Sequence, residues 1–168
     1  QAQIIDLLMD LQSEFDLAVM WVTHDMGIVA ETCDSIGVMY AGNIVEYGRV
    51  DEVFEAPKHP YTEALLRAVP NHRDTSPRFE TIEGSPPDLG DLPTGCVFQD
   101  RCPKAEAGCR THRPPYYEVG EGGEWLAKCF VHAGESTRPA SSSAPEPEIS
   151  PEDAPAEIEA RGDGGDAR

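Results

Sequence analysis

The chain has 168 residues, 31 of them acidic and 13 basic, for a formal charge of -18 and a pI near 4.4. Such a balance excludes a nucleic-acid binder that works through a basic surface. No run approaches the roughly 20 apolar residues of a membrane-spanning helix, and no basic and apolar leader opens the chain. The expectation is a soluble, cytoplasmic protein, and, since it starts at Gln1, a piece of a longer one.

The charge is unevenly spread. Residues 134–168 hold nine acidic and three basic side chains with five prolines, too little apolar surface to fold, and are expected to form a disordered acidic tail. The rest is still acidic, with 22 acidic against 10 basic residues over positions 1–133. Only three lysines occur: Lys58, Lys104 and Lys128. An acidic, lysine-poor surface suits multimolar salt, where screening over a few ångströms removes self-repulsion.

Along positions 1–16, Ile4, Leu7, Leu8, Leu11 and Phe15 recur at three- and four-residue spacings, which predicts an amphipathic helix. The apolar run Leu17 to Val22 is too short for a helix and reads as a buried, parallel strand. Thr23-His24-Asp25 ends it, and Met26, Ile28, Val29 and Cys33 mark a short helix to about Thr32. Ile36 to Tyr40 and Ile44 to Tyr47, joined by Ala41-Gly42-Asn43, predict an antiparallel hairpin. Asp51 is expected to cap a short helix that Pro57 stops. Pro60 opens another, with Ala64, Leu65, Ala68 and Val69 on its apolar face and Pro70 at its end. The polar, Pro- and Gly-rich stretch 71–94 reads as a linker, and 95–133 as a small cysteine-bearing module.

Two constellations could carry chemistry. His24 lies at the carboxyl end of the expected strand, the edge where open α/β sheets bind ligands. Position alone favours the plainer reading, a histidine capping the next helix or exposed at a turn. Cys96, Cys102, Cys109 and Cys129 are separated by 5, 6 and 19 residues in a segment poor in apolar side chains. Four such residues suit a metal centre that organises a domain too small to fold on its own core. Disulfides are disfavoured in a reducing cytosol. A structural zinc site usually shows two closely spaced cysteines, although tetrahedral coordination by all four stays open, as do unligated thiols. A [4Fe–4S] cluster takes four thiolates as its usual ligand set and is the preferred reading. Cys33 falls at the apolar spacing of its helix and reads as a packed thiol.

The segments Gln1-Ala-Gln-Ile-Ile-Asp-Leu-Leu, Val22-Thr-His-Asp-Met-Gly-Ile-Val-Ala30, Val38-Met-Tyr-Ala-Gly-Asn-Ile-Val-Glu46 and His59-Pro-Tyr-Thr62 with Leu65-Leu66 resemble, in order and spacing, the ATP-binding subunits of the dipeptide, oligopeptide and nickel branch of ABC transporters. The resemblance covers positions 1 to about 132. It implies an α/β fold: residues 1–70 as the carboxy-terminal part of a P-loop (RecA-like) ATPase domain, followed by the linker, the Cys-rich metal module and the tail. It implies an ATPase energising peptide import, with ATP and Mg2+ as cofactors and His24 as the switch histidine that reaches the γ-phosphate and the attacking water. It also implies a [4Fe–4S] cluster on Cys96, Cys102, Cys109 and Cys129, with Zn2+ the lesser alternative; His112 and His132 lie near enough in sequence to substitute. The implied partners are a second ATPase subunit, in a homo- or heterodimer, two membrane permeases and, indirectly, an extracytoplasmic solute-binding protein. The implied location is the cytoplasmic face of the membrane.

The chain departs from the family pattern in lacking a Gly-rich loop ending in Gly-Lys-Ser/Thr, so it is not expected to bind ATP normally by itself. Ser35 and Asn43 stand where basic or longer polar side chains are expected. The competing reading is a stand-alone metal-binding or redox-sensing module with a vestigial ATPase part.

Overall fold

The computed structural model describes residues 2–68, 82–120 and 122–133. The expected helix end at Pro70, the first part of the linker and the acidic tail lie outside the described residues. Helix α1, Ala2–Phe15, forms as its periodicity predicts. It ends in a Schellman turn, with Asp16 in the left-handed region (φ 52°) and Leu17 N–H donating to Gln12 O at 3.1 Å.

The run 17–22 does not form the expected strand. A parallel strand needs neighbours on both sides and cover on both faces, and no strand among the described residues pairs with it. Its side chains stand open: Met20 is 87% and Val22 92% exposed, and Ile4, Leu7 and Phe15 of α1 share that exposure.

Asp25 caps α2, Met26–Thr32, its carboxylate accepting the N–H groups of Gly27 and Ile28 at 2.9 and 3.3 Å. The predicted hairpin follows as β1, Ser35–Tyr40, and β2, Asn43–Arg49, paired antiparallel from Ser35↔Arg49 to Tyr40↔Asn43. The connection is the two residues Ala41 and Gly42, both at positive φ, which matches the strand twist; Asn43 already belongs to β2. Burial alternates along β1, with Ile36, Val38 and Tyr40 inward, and the register shifts after Val38.

Helix α3, Val50–Glu55, is preceded by Arg49, not by a capping Asp51. Asp51 sits in the first turn, where it pairs with the Arg49 guanidinium at 3.1 Å. Val50 and Val53 are buried beneath the hairpin. Helix α4, Pro60–Ala68, begins at Pro60 as expected. Residues 96–133 then add two 3₁₀ turns, Gln99–Arg101 and Phe130–His132, a short helix α5, Ala107–Thr111, and strands β3, Tyr117–Glu118, and β4, Leu126–Ala127.

Strand β4 pairs antiparallel with β2 through Glu46↔Ala127 and Tyr47↔Leu126, giving one sheet of order β1-β2-β4-β3. The core is shared as well, since Val45, Val50 and Val53 pack in one cluster with Phe98 and Trp125, and Cys33 packs against it. The late part of the expected linker is tied down too. Arg101 donates from Nη2 to Ile82 O at 2.8 Å and from Nε to Glu83 O at 2.9 Å.

Candidate functional site

Beside this shared core, Cys96, Cys102, Cys109 and Cys129 line a single small cavity with His59, Phe98 and Gln99 on its wall. Each thiol arrives by a different device. Cys96 follows Gly95, whose missing side chain lets the chain lie against α5: a Cβ there would overlap the Cys109 carbonyl oxygen and stand 2.7 Å from Arg110 C. That approach sets the bond from Cys96 N–H to Cys109 O, 2.8 Å. Cys102 closes the turn Gln99–Arg101, Cys109 lies inside α5, and Cys129 precedes the turn Phe130–His132.

Burial pushes the Cys96 and Cys102 thiols up and Cys129 to about 11, with the neighbouring sulfurs adding to the rise at all three. As free thiols they would hold their protons at neutral pH and make poor nucleophiles; a bound cation reverses that balance. Among the described residues, no group of three or more His, Cys, Asp or Glu side chains stands close enough to hold one metal ion.

The wall of the cavity is held by one carboxylate. Glu46 of β2 is fully buried and accepts three N–H groups: Lys58 N at 2.8 Å, His59 N at 2.8 Å and Trp125 Nε1 at 2.9 Å. It thereby joins the strap before α4 to the cysteine module. His59 is 1% exposed, and its Nδ1 accepts Tyr61 N–H at 3.1 Å, capping α4. Burial, then the nearby His132, pull its pKa down to about 4, so the ring is neutral at pH 7. Gln99 is 8% exposed, and among the described residues its Oε1 has no partner.

His24 sits in an exposed bend just before Asp25 and α2, outside this cavity. His132 is buried, with Nε2 bonded to Lys58 O at 3.0 Å, while His112 is exposed with Nδ1 on Thr111 Oγ1 at 2.8 Å. Sequence reasoning assigned no role to Glu46, Gln99 or Gly95. A charged residue in a strand is expected to face solvent, and the three donors of Glu46 come from 12 to 79 residues away. His59 was noticed only as part of His-Pro-Tyr.

No helix among the described residues is long and apolar enough to cross a membrane. Residues 45–109 match the family model of the oligopeptide/dipeptide transporter, C-terminal region. The chain is 41% identical over 139 residues to the dipeptide transport ATP-binding protein of Haemophilus influenzae, a match covering 83% of this chain and 41% of that one. The dipeptide transport ATP-binding protein of Escherichia coli gives the same identity, with 42% of its length covered. The oligopeptide transport ATP-binding protein of Salmonella typhimurium is 46% identical over 130 residues, 77% of this chain and 38% of its own. The chain thus spans about two fifths of the length of these curated relatives. A match of 139 residues in 168 takes in both the hairpin and the cysteine module, so it does not favour a stand-alone metal module. The chain is thus similar to the oligopeptide/dipeptide transport ATP-binding proteins, and its residues 45–109 match the C-terminal region of that family.

Proposed function

We propose that this chain serves, within an ATP-hydrolysing subunit, an ABC importer of dipeptides or oligopeptides. The observation that carries the reading is the 41–46% identity, over 130 to 139 residues, to dipeptide and oligopeptide transport ATP-binding proteins. On this reading residues 1–70 are the carboxy-terminal part of a P-loop ATPase domain that works with ATP and Mg2+. The subunit pairs with a second ATPase subunit on the cytoplasmic face of the membrane, beneath two permeases.

His24 is the residue given the switch role. An imidazole on an exposed bend can accept or donate a hydrogen bond to the transferred phosphoryl group and to the attacking water as charge rearranges between them. In the assembled importer, His24→Ala is expected to remove most ATP turnover while sparing nucleotide binding. Near-normal turnover in that variant would end the assignment.

What supports an iron–sulfur centre is the donor set, four thiols lining one cavity. Cys96, Cys102, Cys109 and Cys129 would hold a [4Fe–4S] cluster, which supplies a one-electron couple and a cross-link between four segments of chain. Iron and sulfide analysis after anaerobic purification tests this, with about four of each per chain expected. Cys33→Ser is expected to leave that content unchanged, and Cys129→Ser to lower it. One zinc and no iron would replace the cluster by a structural ion. The acidic, lysine-poor composition supports the further reading of a surface suited to high salt.

A further inference from the structure

We propose that His59 donates a hydrogen bond from Nε2–H to a sulfur of the four-cysteine centre and thereby sets its reduction potential. This rests on the iron–sulfur reading above. His59 is 1% exposed and lines the same cavity as the four thiols. Its Nδ1 is an acceptor, because the Tyr61 N–H points at it from 3.1 Å. An imidazole that accepts at Nδ1 carries its proton on Nε2, so the remaining nitrogen is a donor. Among the described residues no hydrogen bond to Nε2 is found.

The ring is held in that orientation from several sides. Turning it over would strip the cap from α4. Its backbone N–H is fixed on Glu46 Oε2 at 2.8 Å, and its face lies against Phe98, with ring centroids 5.9 Å apart. The carbonyl of the preceding Lys58 meets His132 Nε2 at 3.0 Å, which ties the strap to the turn after Cys129. The other polar groups on the cavity wall are differently engaged. The unpartnered Oε1 of Gln99 is an acceptor and its amide NH2 a second buried donor, Lys104 Nζ pairs with Glu63 at 2.9 Å, and Glu106 offers a backbone N–H that already lies 3.5 Å from Cys109 Sγ. His59, at 1% exposure against 8% for Gln99, is the more deeply buried donor. Hydrogen bonds to cluster sulfurs stabilise the more negative, reduced form and raise the potential. His59 is a positioning residue, not a ligand.

The test uses the full chain, purified anaerobically, with iron and sulfide measured before a dye-mediated redox titration followed by visible absorbance and by the electron paramagnetic resonance of the reduced state. Wild type is compared with His59→Leu, which lacks a donor, and His59→Gln, which keeps an amide donor. At equal iron content, His59→Leu is expected to reduce at a more negative potential and His59→Gln to fall between it and wild type. Equal potentials in wild type and His59→Leu would overturn the proposal. Wild-type chain labelled with 15N-histidine gives a second readout that needs no stable leucine variant. The reduced centre is expected to show a 15N coupling and an exchangeable proton, both lost in His59→Gln apart from the amide's own proton. Absence of that 15N coupling in iron-replete wild type overturns the proposal and leaves the cluster standing. Wild type that holds no iron and sulfide overturns the cluster reading and the role of His59 with it.

Discussion

Replacing Glu46 by alanine tests the joint between the hairpin and the cysteine module. The substitution removes the acceptor for three N–H groups, of which His59 N and Trp125 Nε1 are bonded in full burial and Lys58 N in partial burial. An unsatisfied buried donor costs about 1–3 kcal/mol, so two such groups come to about 4 kcal/mol, with the partly buried third adding less. Against a domain stability of about 5–15 kcal/mol that is a large fraction. Glu46→Gln keeps the shape and one carbonyl oxygen but turns an NH2 group toward one of the donors, and about 2 kcal/mol is expected. Urea unfolding followed by tryptophan fluorescence reads both, since Trp125 is 7% exposed and changes environment on unfolding. The argument fails if Glu46→Ala loses under about 1 kcal/mol at unchanged m, or if the glutamine variant is the weaker of the two.

Three further outcomes are expected. Gly95→Ala places a methyl group on the backbone of Cys109 and Arg110, which cannot move aside as a side chain can, and is expected to cost about 3 kcal/mol and the bound iron together. Wild-type stability and iron content in that variant would refute the close approach. Arg101→Leu removes the donors to Ile82 O and Glu83 O, so amide exchange around residues 82–85 is expected to quicken with a loss of about 1–2 kcal/mol; unchanged exchange would contradict it. Raising KCl from about 0.1 to about 2 M is expected to raise the melting temperature of a chain carrying -18 charges, and a constant midpoint would sink the high-salt reading.

Features that depend on neighbours in sequence were legible in it. The periodicity of α1, the apolar spacing of α2, the hairpin with Gly42 at its turn and Pro60 at the start of α4 each act within a few residues, so pattern and propensity suffice. Asp51 failed as a cap because Val50 already has helical geometry and Arg49 is the N-cap, a shift of two residues that propensity does not resolve. The run 17–22 reads as a buried strand by composition, but a parallel strand exists only where its neighbours do, and no described strand pairs with it.

The cysteines were visible as a set, but their convergence was decided elsewhere. Cys96 and Cys109 meet because Gly95 admits a backbone, and Cys129 is brought in by the pairing of β4 with β2 across some 80 residues. Glu46 is the extreme case: a charged residue in a strand reads as solvent-facing, and it is buried because three donors from 12 to 79 residues away satisfy it there. Local order follows from short-range torsions and hydrogen bonds that the sequence displays directly. The site depends on which distant groups desolvate one another, and that is settled only once the sheet and the shared core have formed.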